Sequence, residues 1–423
     1  MATEHYHSKN HHWYDIMKLL KTNSCSLLEM WTRTPLRGRR PDSVLNRFGS
    51  LSLSFRKRNA VNFSSTSLVV FVVLLLCCAI QAAGLRPRRG KDTPYTIPVV
   101  VIKYFPVKGD SIDIAVTGDW GKSLAFTRAK TDSITRGLVD SLRDASRFRQ
   151  YKNPNEEPSV EYEVIKTYEF LEPLPTYKKP GDEVPMTDYK AIMERINVRE
   201  WVEENGLRPR RGVREFWLWG YHGGKVGLWE SNMAGPFGDI SNSDRDTTDL
   251  PVLKYTYTLY HYNYQRGLSE AMEDHMHQIE ALLNFVDGRD SLPEREWDKL
   301  LFWGKFVGWF PGGNWAQAVQ NISKERRCGW AHFAPNSEKD YDWANKRYVL
   351  TDIEDWKPDS SGEKQKINCE KWGCNSLKWF MYWMRSLPGN DNGLTYEGKP
   401  LTNWWMFVGD FDGAMTRKAK LTN

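Results

Sequence analysis

With 423 residues, 40% of them hydrophobic, the chain can bury a large core, and its length suggests two or three domains. The formal net charge of +6 is misleading, because residues 1–92 hold fifteen Lys and Arg against five acids while the remainder holds 44 against 48. The basic surplus belongs to a leader, which excludes a nucleic-acid-binding surface on the folded part.

Within that leader, residues 67–84 read SLVVFVVLLLCCAIQAAG behind Arg56, Lys57 and Arg58. The apolar run is shorter than the roughly 20 residues that span a bilayer, so it reads as a signal-peptide core; an uncleaved type II anchor is the rival. Arg86-Pro87-Arg88-Arg89 follows as an R-x-R-R processing motif. The heptapeptide GLRPRRG stands at 84–90 and again at 206–212, the second time between a predicted helix and a predicted strand, where an insertion costs little. Asn321-Ile322-Ser323 is a glycosylation sequon. These features set the expectation of a secretory-pathway or extracellular glycoprotein, membrane-anchored only if segment 67–84 is retained.

From Ile97 to Phe105 the run IPVVVIKYF is almost continuously apolar, as a central strand covered on both faces is. Ile134, Leu138, Leu142 and Ala145 then mark a helix, and Val160, Tyr162, Val164, Tyr168 and Phe170 a strand. A second helix carries Tyr189, Ile192, Met193, Ile196 and Trp201, and VREFWLWGY is a third strand. Strands alternating with helices predict an α/β fold, with a mostly parallel sheet flanked by helices in three layers.

In such sheets ligands bind beyond the carboxyl ends of strands. The third strand runs into His222-Gly223-Gly224 and then Trp229-Glu230-Ser231-Asn232, which makes Glu230, His222 and Asn232 candidates; an ordinary Gly-rich loop with a helix cap at Ser231 is the alternative. The loop 239–250, DISNSDRDTTDL, is dense in oxygen ligands for calcium but lacks EF-hand spacing, and turn chemistry also accounts for it.

The stretch RGLSEAMEDHMHQIEALLNFVD carries two helical stripes. Met272, Met276, Ile279, Leu283 and Val286 form an apolar face, with Ser269 as N-cap. Glu270, Glu273, His277, Glu280 and Asn284 form a second stripe about 120° away. Glu273 and Glu280 lie four and three residues from His277, so both carboxylates reach one imidazole, a spacing used by metal-binding helices. A solvated acidic face is the alternative. His275 falls beside the apolar stripe as a packed histidine.

Twelve of the nineteen tryptophans follow Asp287, predicting a Trp-rich, irregular C-terminal half packed on the sheet. Trp379 and Trp383 belong to a core-facing helix over 376–386. Trp404 and Trp405, as neighbours in a strand, should leave one ring exposed. Ala331-His332-Phe333 is expected as a short strand ending in a site edge. Cys328, Cys369 and Cys374 allow one disulfide, with Cys369–Cys374 preferred, or a zinc site completed by His332.

The expected organisation is a leader over 1–92, an α/β domain over 93–290, and a Trp-rich region over 291–423 that is separate from it or continuous with it. The expected function is a secreted metal-dependent hydrolase. His277, Glu280 and His332 would ligate a divalent metal, zinc by ligand type, and Glu230 or Glu273 would act as general base. The alternatives are a glycan-binding or glycan-acting protein using Trp404 and Trp405 as stacking platforms, and a structural extracellular protein stabilised by disulfide and calcium. A glycan or a peptide is the expected substrate class. No G-x-S-x-G, P-loop, H-E-x-x-H or G-x-G-x-x-G motif is present, which weighs against those mechanisms. Expression in a secreting cell is expected to give an N-terminus between residues 84 and 92 and a glycan at Asn321; recovery of only full-length, unglycosylated protein would end the secretory reading.

Overall fold

Ile97 to Ile102 carries the burial that its composition demands: Val99, Val100 and Ile102 are fully buried, and Ile97 and Val101 are 1% exposed. The computed structural model describes residues 93–204, 212–309 and 327–423. The apolar segment 67–84, the R-x-R-R motif, the first GLRPRRG copy, most of the second and Asn321 lie outside the described residues.

In chain order, the principal elements are β1 (Tyr95–Tyr104), α1 (Leu124–Ala145), β2 (Val160–Phe170) and α2 (Tyr189–Arg195). They continue with β3 (Glu215–Gly220), β4 (Ser231–Ala234), β5 (Tyr257–Asn263), α3 (Leu268–Val286) and α4 (Ser376–Met384). Five strands form one sheet in the order β2-β1-β3-β5-β4. The β2–β1, β1–β3 and β3–β5 pairings are parallel, and β4 joins β5 antiparallel. The sheet is thus mixed but mostly parallel, with helices packed against it. The antiparallel edge strand stands where the loop after β3 allowed a helix cap at Ser231.

Register along β1–β2 is interrupted once. Val99 pairs Val164 and Val100 pairs Lys166, so Ile165 is an extra residue on the edge strand, a β-bulge. Alternation along β5 sends its side chains to two faces. Tyr260 and Tyr262 meet His275 of α3, while His261 between them meets Tyr189 of α2.

Helix α1 starts at Ser123, whose hydroxyl accepts from the Phe126 N–H, and buries Ile134, Leu138, Leu142 and Ala145. Helix α3 starts differently from expectation. Its N-cap is Gly267, without a side-chain cap, and the Ser269 hydroxyl instead lies 2.6 Å from that of Ser376 on α4, trading a local cap for a helix-to-helix bond.

One contiguous apolar cluster runs from Ile97 to Leu421, and tryptophans knit its later part. Phe306 contacts Trp356, Trp383 and Trp404 at 5.0, 5.6 and 5.6 Å between ring centres. Indole N–H groups donate to main-chain carbonyls: Trp356 to Lys305, Trp372 to Trp343, Trp383 to Gly329 and Trp404 to Leu421. Irregular backbone leaves such carbonyls without ladder partners, and a buried carbonyl needs one. The exposed platform at Trp404 and Trp405 is corrected by this packing. Both rings are 1% exposed, because the pair lies in a turn leading to the short helix Met406–Gly409 instead of in a strand.

The Cys369–Cys374 disulfide is formed and Cys328 is a buried free thiol. The bond takes two of the four ligands from the cysteine zinc site. No helix among the described residues is long and apolar enough to cross a membrane.

The two neighbouring tryptophans differ in one respect. The Trp404 indole donates to Leu421 at 3.1 Å, while the buried Trp405 indole nitrogen has no partner among the described residues. Trp404→Phe is therefore expected to lose about 1 kcal/mol more stability than Trp405→Phe, measured by urea unfolding. Equal losses would mean that volume alone matters.

Candidate metal centre

Helix α3 places its two histidines on different surfaces because they are two residues apart, about 200° round the helix. His275 is 1% exposed, stacks on Tyr260 at 3.9 Å and lies 2.7 Å from the Tyr262 hydroxyl. Burial lowers its pKa to about 3 and keeps the ring neutral. It is a packed histidine, as its position beside the apolar stripe implies.

His277 looks the other way. Its Nε2 atom lies 3.0 Å from Nε2 of His332, and Glu273 Oε1 is 3.2 Å from the His332 nitrogen and 3.9 Å from the His277 nitrogen. The three side chains converge on one point and are 14% (Glu273), 13% (His277) and 21% (His332) exposed. Around a tetrahedral zinc with bonds of 2.0–2.2 Å, neighbouring ligand atoms stand about 3.3–3.5 Å apart, which this triangle brackets.

Each imidazole is backed by a carboxylate on its far side. His277 Nδ1 lies 3.1 Å from Glu280 Oε2, and His332 Nδ1 lies 3.0 Å from Asp340 Oδ1. Carboxylates only accept, so both Nδ1 atoms donate, which leaves both Nε2 lone pairs facing the same point as Glu273. Three acceptors meeting there require a proton or a cation between them.

His332 arrives by a turn instead of the expected strand. Trp330 and Phe333 close it as an isolated bridge, and Gly329 enters it at φ 74°, where an added Cβ would lie 2.2 Å from the Phe333 carbonyl oxygen. Ala331 N–H donates to Glu280 Oε1 at 2.8 Å, so one carboxylate holds both the helix imidazole and the turn. Tyr341 packs tilted against His332, ring centres 4.1 Å apart, from a left-handed backbone at φ 59°, a conformation costly for an aromatic residue and found where structure is over-determined.

The electrostatics follow from this crowding. Burial works against protonation of His277, but the charge of Glu230 and the bonds to Glu273 and Glu280 hold its pKa well above the usual range. His332 is raised against burial by Asp340 and Glu273. Burial opposes ionisation of Glu273, yet both imidazoles hold it at about 2. Glu270 moves to about 7, mainly by burial.

Of the residues singled out from sequence, Glu273, His277, Glu280 and His332 meet here, with Glu230 acting on His277 by charge. Glu273 stands on the Nε2 side and Glu280 on the Nδ1 side of His277. Glu230 is held by Asn242 Nδ2 at 2.5 Å. His222 faces the Val226 carbonyl at 2.6 Å, and Asn232, 1% exposed, donates to Asp249 at 2.5 Å. In the loop 239–250, Asp239 accepts from Ser241 and Ser243, and Asp246 from Thr248, as turn chemistry does. Asp340-Tyr341-Asp342 follows the His332 stretch closely in the sequence, but the sequence alone does not assign Asp340 as the partner of His332 Nδ1. A surface cavity lined by Asn390, Asn403, Lys418 and Lys420 contains none of the converging residues.

No protein-family model matches the chain, and a search of curated proteins finds none similar to it.

The shifts predict a pH window for metal-free protein. The lowered Glu273 pKa contributes stability present above its usual 4.5 and lost as pH falls towards about 2. The raised histidine pKa values contribute stability present below their usual 6.5 and lost as pH rises through the folded values. The stability difference between wild type and Glu273→Gln, from urea unfolding with chelator at pH 3, 5.5 and 9, is expected to peak at 5.5. A flat difference would show that these groups are not coupled.

Proposed function

We propose that this chain is a metal-dependent hydrolase of the secretory pathway, with Glu273, His277 and His332 as its cation ligands. The observation that supports it is the convergence of two Nε2 atoms and a carboxylate oxygen, with each imidazole oriented from behind by Glu280 or Asp340. Two nitrogens and one oxygen suit zinc. When bound, such an ion supplies Lewis acidity that makes water nucleophilic near neutral pH.

The chain's own residues supply the rest. Glu280 and Asp340 fix the imidazole tautomers and orientations. Glu230, on the far side of Glu273 in our assignment, is the general base that takes the proton from the attacking water. The reading takes the sheet as the middle of a three-layer α/β arrangement, with the Trp-rich C-terminal half packed over α3. It is supported by the contacts of Tyr260 and Tyr262 with α3 and of His261 with α2. The secretory location is supported by the Cys369–Cys374 bond, which persists in oxidising compartments.

Metal analysis of the purified protein tests the assignment. His277→Ala is expected to abolish stoichiometric zinc, and Asp340→Asn to weaken it about 10–100-fold. His275→Ala should lower the melting temperature with zinc retained. Unchanged zinc in the His277 variant, or none in wild type, would return the stripe to a partly buried polar face.

A further inference from the structure

The surface cavity near the end of the chain, about 960 Å³ in volume, takes no part in the candidate metal centre. Its volume lies within the range of small-ligand clefts, and segments 389–395, 400–406 and 417–423 form its wall. The short helix Phe411–Thr416 leads into it and closes on Lys418. Lys418 N–H donates to the Met415 carbonyl and Ala419 N–H to the Ala414 carbonyl, both at 2.9 Å. These are the two bonds of a Schellman cap, whose left-handed position is usually glycine. Lys418 occupies it at φ 53°, a conformation that costs a residue with a Cβ some stability. A lysine held there, at the edge of a cavity, points to a use for its ammonium group.

The rest of the wall is equally fixed. Leu401 pairs with Thr422, and the Thr402 hydroxyl donates to the Lys420 carbonyl at 2.9 Å, so both lysines stand on a pinned main chain. Both are exposed, and neither ammonium makes a hydrogen bond or an ion pair among the described residues. Arg417 is held by Asp410 at 3.1 Å instead. Asp391 is the acid among the lining residues, against Arg417, Lys418 and Lys420. A relay of amides orients the neutral side: Trp405 N–H donates to Asn403 Oδ1 at 2.9 Å, and Asn403 Nδ2 donates to Asn390 Oδ1 at 2.8 Å. That fixes the Asn390 amide and leaves its NH2 group as the donor that faces a ligand.

We propose that this cavity binds an acidic glycan, with Lys418 and Lys420 pairing with its sulfate or uronate oxygens and Asn390 donating to a neutral sugar oxygen. Ammonium and amide donors call for a ligand rich in acceptor oxygens, some of them charged. No aromatic side chain is among the described lining residues, so nothing in the cavity stacks a base, which disfavours single-stranded nucleic acid. The run Arg417-Lys418-Ala419-Lys420 is a short basic stretch of the kind that recognises sulfated glycans. This function goes beyond the hydrolase reading and does not depend on it. Trp405 serves it through its main-chain N–H, its ring being buried.

The test titrates the full-length protein with a heparin tetrasaccharide at physiological salt, by calorimetry and by lysine acetylation read out residue by residue in a mass spectrometer. Lys418 and Lys420 are expected to be protected while Lys366 is not, which separates this site from any binding by the basic leader around Lys57. Lys420→Gln and, independently, Lys418→Gly are each expected to weaken the tetrasaccharide about tenfold, the loss of one charge-assisted hydrogen bond. Lys418→Gly should at the same time raise the melting temperature, because glycine relieves the left-handed cap; a merely structural lysine would not couple a gain in stability to a loss of binding. Asn390→Ala should weaken binding with the melting temperature unchanged. A desulfated tetrasaccharide separates the two anions: lost binding assigns sulfate and retained binding assigns uronate, either one supporting an acidic glycan. Absence of protection at Lys418 and Lys420, affinity unchanged in both lysine variants, or equal protection by a single-stranded DNA of the same charge would overturn the proposal.

Discussion

The main chain of Ala331 ties the candidate centre to the rest of the molecule. Its carbonyl accepts two indole N–H bonds, from Trp343 at 2.9 Å and Trp379 at 3.0 Å, and its own N–H donates to Glu280. Three hydrogen bonds at one residue pin a turn that has no strand ladder to hold it. His332 is the next residue, so its ring inherits that fixed origin, and Asp340 and Tyr341 then set its rotation. The indoles are themselves anchored: Trp379 is fully buried on α4, and Trp343 packs edge-on against Phe380 of the same helix. Core packing and site geometry are thus the same set of contacts.

Helix α3 works as a divider. Its apolar stripe and His275 face the tyrosines of the sheet, and its polar stripe faces the turn from the C-terminal region. Such a helix cannot rotate to relieve strain on one side without disturbing the other. That explains how three acids of α3, Glu273, Asp274 and Glu280, are tolerated at or near burial. Met272, Met276, Ile279 and Leu283 are each at most 4% exposed, and their burial at about 1.5–3 kcal/mol per side chain offsets the desolvation of the acids.

Periodicity made much of this legible. The apolar run of β1, the four-residue spacing in α1 and the two stripes of α3 are local patterns, and the structure follows them. The antiparallel placement of β4 was not legible, because Ser231 to Ala234 is too short to show a period. Glu273 and Glu280 both lie within one turn of His277, and which of them meets Nε2 depends on the ring's rotation. That rotation is set by Ala331 and His332, more than 50 residues away. Trp404 and Trp405 were misjudged because alternation applies only to strands, and nothing local distinguishes a strand from a buried turn in Asn403-Trp404-Trp405.

The extra residue at Ile165 also governs how the molecule meets others of its kind. Strand β2 is the open edge of a mostly parallel sheet, and its outer row of amide and carbonyl groups is a template on which another chain could zip. The bulge divides that row into two runs of five residues that are out of step with each other. Glu161, Glu163, Lys166 and Glu169 line the same strand, so an approaching edge meets charge as well as broken register. The bulge and the charged row thus disfavour edge-to-edge growth of the sheet at β2.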